Sequence, residues 1–137
     1  GKGRKVREGS NIAILNFGTL LTPALEAAQR LGATVVDMRF VKPLDEALVL
    51  ELAEQHELLV TLEENSVAGG AGSAVTECLN RQEVSMPVLQ LGLPDTFIDH
   101  GKHEELLKAC GLDAEGIFSS ISTRMERLQH QRLKAVK

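Results

Sequence analysis

Ile12-Ala13-Ile14-Leu15-Asn16-Phe17-Gly18-Thr19 is the stretch that decides the fold. Its first six residues form a nearly continuous apolar run, the pattern of a strand covered on both faces. Gly18 and Thr19 turn the chain. Leu21, Ala24, Leu25, Ala28 and Leu31 then follow at i, i+3, i+4, i+7 spacing, which predicts a helix with Gly32 as its C-cap. A buried strand feeding directly into an amphipathic helix is half of a βαβ unit.

The same alternation extends to either side. Thr34 to Phe40 reads as a second strand, ended at Lys42-Pro43 because proline cannot donate to a ladder. Asp45 is a candidate N-cap for a helix placing Leu44, Ala47, Leu48 and Leu52 on one face. Leu58 to Glu63 is a third strand, and it runs into the glycine-rich loop from Glu64 to Ser73. A helix follows, with Ala71, Val75, Cys78 and Leu79 inward, and then an apolar run from Pro87 to Leu91. A polar loop leads to a short helix with Leu106, Leu107 and Cys110. The last helix opens at Asp113 and spaces Ile117, Ile121, Met125 and Leu128 helically. Four strands joined by such helices are expected to be parallel, with right-handed crossovers. Lys5 to Arg7 can add an edge strand. The reading gives one domain over residues 1–125 and a polar, basic tail over residues 126–137 that frays.

Composition narrows the partners. The 137 residues carry a net charge of -4, with 43% hydrophobic and 25% charged residues, ordinary proportions for a globular domain. Trp and Tyr are absent and only four Phe are present. A nucleic-acid groove needs stacked aromatics and positive charge, so nucleic acid is excluded as a partner. No apolar run reaches bilayer-spanning length and no signal peptide opens the chain, so a membrane is excluded too. Cys78 and Cys110 sit in apolar helical stretches, which fits a reducing compartment. The expectation is a soluble, cytoplasmic protein. Gly1-Lys2-Gly3-Arg4-Lys5 reads as a linker, which suggests a piece of a longer chain.

Gly69-Gly70-Ala71-Gly72-Ser73 is the first candidate site, because helix N-terminal amides and glycines suit a phosphate. The spacing completes neither G-x-G-x-x-G nor a P-loop with its lysine, and Glu63-Glu64 would repel an anion. A tight structural turn is the better reading. Glu63 and Glu64 could form an acid/base pair. Consecutive strand residues point to opposite faces, however, so the simpler role has one of them accept hydrogen bonds from loop amides. Asp95, Asp99, His100 and His103 hint at a metal, but a structural site needs four firmly held ligands, and a solvated loop is favoured. His56 and His130 read as surface residues of helices. Thr19, Thr22 and Ser73 read as helix caps, since no nucleophile elbow is present.

Several segments resemble a known family. Ala13 to Thr19 is similar to the first core strand and turn of the transketolase C-terminal domain family. Val36 to Asp45 is similar to its second strand and the start of the next helix. Glu63-Glu64-Asn65, Gly69 to Ser73 and Leu91-Gly92-Leu93-Pro94-Asp95 resemble the branch found in bacterial 1-deoxy-D-xylulose-5-phosphate synthases. The resemblance implies a three-layer α/β/α fold with a mostly parallel five-stranded sheet and one antiparallel edge strand. It implies a parent transferase, a homodimer using thiamine diphosphate and magnesium, that condenses pyruvate with glyceraldehyde 3-phosphate in isoprenoid and thiamine synthesis. The family's catalytic and cofactor residues belong to the two preceding domains, and the Gly-Asp-Gly diphosphate motif is absent here. No catalytic, cofactor or metal residue is carried over, and the isolated domain is expected to be inactive.

What remains is the crevice where strand order reverses. The family's order places it between the strands ending at Phe17 and Glu63. Gly18, Thr19, Glu64, Gly69, Gly70, Gly72 and Ser73 are therefore the expected anion-binding or domain-interface loops. Domain packing and dimerisation alongside the preceding catalytic domains is the leading role. The alternatives are a docking module like the C-terminal domain of 2-oxo acid dehydrogenase β-subunits, and a small-anion or nucleotide-binding regulatory domain.

Overall fold

The computed structural model describes residues 2–39, 41–66, 70–93 and 103–136. Its strands are β1 (Arg4–Arg7), β2 (Asn11–Phe17), β3 (Thr34–Asp37), β4 (His56–Ser66) and β5 (Val88–Leu93). Its helices are α1 (Leu21–Leu31), α2 (Glu46–Gln55), α3 (Ala71–Arg81), α4 (His103–Ala109) and α5 (Ala114–Val136). They build one five-stranded sheet in the order β1-β3-β2-β4-β5. β3, β2, β4 and β5 are parallel, and β1 is antiparallel to β3, as expected of the edge segment.

Alternation along the central strands assigns every side chain to a layer. Ile12 and Ile14 of β2, with Leu58, Val60 and Leu62 of β4, face a core closed by α1 and α5 through Ala24, Ala28, Ile117 and Ile121. Ala13, Leu15 and Phe17, with Leu59, face the other core, closed by α2 and α3 through Val49, Leu52, Val75 and Cys78. β2 and β4 are thus buried on both faces, which is why they read as unbroken apolar runs. The result is a three-layer α/β/α domain.

Local signals account for several boundaries. Gly32 caps α1 in the left-handed conformation at φ 68, where a side chain would be strained. Asp45 caps α2 by accepting from Leu48 N at 3.2 Å, and its second oxygen accepts from Gly3 N at 3.0 Å. Asp113 does the same for α5, accepting from Gly116 N at 2.9 Å. Arg30 of α1 stacks 3.7 Å from the Phe118 ring centroid while pairing with Glu115 at 2.7 Å, which pins α1 to α5.

Four expectations are corrected. β3 ends at Asp37, short of Phe40, which lies outside the described residues. Thr19, Thr22 and Ser73 cap nothing: the N-cap positions of α1 and α3 are Leu20 and Gly70, without side-chain capping bonds. The expected loose tail is helical, because α5 continues to Val136 and Arg132 meets Glu57 at 2.6 Å. His56 is not a surface residue of a helix. It opens β4 half-buried, with Nδ1 2.8 Å from Leu52 O and Nε2 2.7 Å from Thr34 Oγ1. Thr34 Oγ1 also accepts from Gly9 N at 3.0 Å, so this chain of bonds ties β3, α2 and β4 to the turn before β2.

Gly9 passes so close to the turn between α1 and β3 that an added Cβ would strike the main chain of both Gly32 and Ala33. Neither neighbour can rotate away. Gly9→Ala is expected to destabilise the domain by about 1–3 kcal/mol, the usual cost of overpacking, read as a lowered denaturant midpoint at unchanged slope.

Candidate functional site

The chain runs from β2 to β3 on one side and later returns to β4 on the other, so strand order reverses between β2 and β4. Ligand crevices of open α/β sheets lie at such points, outside the carboxyl ends of the strands. Phe17 pairs in register with Glu63, so Gly18 leaves the sheet beside Glu64, while β4 continues to Ser66. Gly18 takes φ 132, and a Cβ there would meet nothing within 4 Å. Thr19 is exposed beside it, and Glu64 is half-buried on the α1/α5 side of the sheet.

On the α2/α3 side the decisive group is Glu63. Its side chain is 3% exposed, and one carboxylate oxygen accepts from Ala71 N at 2.8 Å. Ala71 is the first residue of α3, so Glu63 takes the place of the cap that Gly70 lacks. Burial holds the Glu63 carboxyl above its ordinary range, against the opposing pull of the Ala71 and Gly72 amides. The glycine-rich turn therefore carries an anion of its own. A phosphate approaching these amides would have to displace Glu63 beside a second carboxylate. A diphosphate does not fit the residues present.

Gly72 has a packing role rather than a phosphate-cradling one. An added Cβ would lie 2.6–2.7 Å from the Gln90 side chain, which rests against it from β5. Gly70 and Ser73 flank the start of α3, while Gly69 lies outside the described residues. So do Asp95, Asp99 and His100, together with the side chain of His103. Among the described residues no three His, Cys, Asp or Glu side chains cluster to hold a metal. The Cys78 thiol is buried beside Glu46 and Arg81, and burial pushes its pKa up to about 11, far from a reactive thiolate.

One residue escaped the sequence reading. Asn16 is fully buried at the end of β2 and donates from Nδ2 to Gly18 O at 3.1 Å, bracing the turn. Among the described residues its Oδ1 has no hydrogen-bond partner. A lone amide inside the apolar run from Ile12 to Phe17 was the available signal.

The Glu63 geometry separates two substitutions. Glu63→Ala leaves the Ala71 amide buried and unpaired, at a cost of about 1–3 kcal/mol. Glu63→Gln keeps an acceptor and removes the buried charge, so at neutral pH it is expected to match or exceed the parent's stability. The pH dependence has a definite sign. A raised carboxyl pKa contributes stability that is fully present below the ordinary glutamate range and is lost as pH rises through the folded value. The parent should therefore gain on Glu63→Gln as pH falls through that window. Chemical denaturation of both at several pH values checks it.

Comparison with known proteins agrees with this architecture. The family described as "Transketolase, C-terminal domain" matches residues 1–117. A 1-deoxy-D-xylulose-5-phosphate synthase of Nitrosococcus oceani is 57% identical over 136 residues, covering 99% of this chain and 21% of the relative. That of Vibrio parahaemolyticus is 61% identical over 122 residues, covering 89% of this chain and 20% of the relative. The chain thus spans about a fifth of the length of these relatives. A solved structure described as a split gene transketolase, inactive beta4 tetramer, superposes with a TM-score of 0.82 at 37% identity, covering 89% of this chain and 41% of its own. The five-stranded sheet with its antiparallel edge and the match over residues 1–117 lead to one assignment: this chain belongs to the transketolase C-terminal domain family.

Proposed function

We propose that the chain is the C-terminal domain of a 1-deoxy-D-xylulose-5-phosphate synthase and takes no direct part in its chemistry. The parent reaction joins pyruvate to glyceraldehyde 3-phosphate with loss of carbon dioxide, serving isoprenoid and thiamine synthesis. Thiamine diphosphate, held with magnesium by the other domains, supplies the carbanion chemistry. Identities of 57% and 61% to two such synthases support the parentage. A cytoplasmic setting fits the two free thiols, Cys78 and Cys110.

The observation that carries the non-catalytic role is the Glu63–Ala71 bond. It places an internal carboxylate where a cofactor or nucleotide phosphate would otherwise use the α3 amides. The carboxyl edge then serves as a packing surface. Gly18, Thr19 and Glu64 form one lip, and Gly70, Gly72 and Ser73 begin the helix behind it, against the preceding catalytic domains. The nucleotide-sensor reading loses its main support at the same bond.

Thermal unfolding of the chain with thiamine diphosphate plus magnesium, and separately with adenine nucleotides, tests this. A ligand at a hundred times its dissociation constant adds about 2.7 kcal/mol, a shift of several degrees for a domain of this size. No shift is expected with either, and no product from pyruvate and glyceraldehyde 3-phosphate. A nucleotide-induced shift would establish the glycine turn as a ligand site, and a cofactor-induced shift would return the cofactor to this domain.

A further inference from the structure

Arg30, Arg81 and Arg132 are each paired with an acid, at 2.7 Å from Glu115, 2.8 Å from Glu46 and 2.6 Å from Glu57. Arg124 of α5 is different. It is half-buried, and among the described residues it makes no ion pair or hydrogen bond. Its own helix offers no acid, because Ser120, Ile121, Arg127 and Leu128 stand three and four residues away.

Arg124 lines a groove of about 380 Å³ beside the start of β5. The lining is of two kinds. Leu79, Val84 and Met86 are apolar, while Thr76, Asn80, Ser85 and Gln90 join Arg124 as polar groups. None of the described lining residues is acidic. Thr76 and Gln90 are already engaged: Thr76 Oγ1 donates to Gly72 O at 2.9 Å, and Gln90 Nε2 donates to Thr76 Oγ1 at 3.4 Å. The guanidinium, the Asn80 amide and the Ser85 hydroxyl are the donors left over. The register irregularity of β5 falls after Leu91, beyond this lining.

We propose that the groove binds a small organic monocarboxylate with an apolar body, its carboxylate on the Arg124 guanidinium and its hydrocarbon part against Leu79, Val84 and Met86. Charge selects the head group. A carboxylate brings one charge and a planar pair of oxygens, which matches the fork of a single guanidinium. A phosphate group brings about −1.5 to −2, and Arg124 is the one cation among the described lining residues. Size selects the body. Ligand sites begin at about 300 Å³, so this groove takes a short acid and not a nucleotide.

Nuclear magnetic resonance titration of the chain tests this with isovalerate, its uncharged analogue isoamyl alcohol, and inorganic phosphate. Isovalerate should shift the Arg124 Nε–H and the Asn80 and Gln90 side-chain amides along one saturable curve. Arg124→Gln should weaken binding roughly tenfold or more, the loss of a charge-assisted pair, and Arg124→Lys should recover part of it. Asn80→Asp alters an exposed position and supplies Arg124 with a carboxylate of the protein's own, so it should weaken binding as much. No saturable shift with isovalerate overturns the proposal and leaves Arg124 to an acidic side chain of another domain. Equal binding of the alcohol would make the groove merely apolar, and equal binding of phosphate would make it a general anion site; either overturns it. Binding that survives both Arg124→Gln and Asn80→Asp would put the acid elsewhere and overturn it as well.

Discussion

β2 and β4 are covered on both faces, and that constraint governs everything else in the domain. Each residue in them belongs to one core or the other by parity alone, so a polar side chain at their carboxyl ends must find its partner inside the protein. Asn16 and Glu63 are the two places where this happens next to the reversal of strand order. Asn16 turns toward Gly18 and braces the first loop. Glu63 turns toward α3 and holds its first amide. The crevice in which sheets of this class commonly bind ligands is thereby furnished from within.

The balance of forces at Glu63 explains why this is structural chemistry. Desolvation of a carboxylate outweighs the gain from two amide contacts, which is why its pKa rises rather than falls. A group under that tension stays only where the surroundings gain from it. The gain here is a capped α3, whose Val75, Cys78 and Leu79 close the second core. An anion-binding turn would instead leave its amides open and surround them with cations. The turn of this chain is preceded by two carboxylates.

Much of the architecture was legible because the cores are layered. Unbroken apolar runs located β2 and β4, helical spacing located the five helices, and Gly32, Asp45 and Asp113 marked their ends correctly. The misread positions share a cause: local propensity was overridden by a distant partner. Ser73 has the chemistry of a cap, yet Glu63, eight residues upstream of Ala71, caps α3. His56 looked like a helix-surface residue because its partners, Thr34 and Leu52, are brought to it only by the fold. The polar residues of 126–136 suggested a tail because Arg132 has no sequence neighbour to pair with, whereas Glu57 reaches it across the sheet. Asn16 was hidden inside an apolar run for the same reason. The sequence left the amide acceptor open between Glu63 and Glu64 and put only Glu64 among the expected interface loops; parity along β4 gives the bond to Glu63.

The most direct measurement is an NMR titration of the Glu63 carboxyl carbon together with the Ala71 amide. If the carboxylate occupies the start of α3, Glu63 titrates above the ordinary glutamate range and the Ala71 amide shifts with the same midpoint. A Glu63 that titrates in the ordinary range, with an Ala71 amide indifferent to it, would contradict the account and leave the turn open to an external anion.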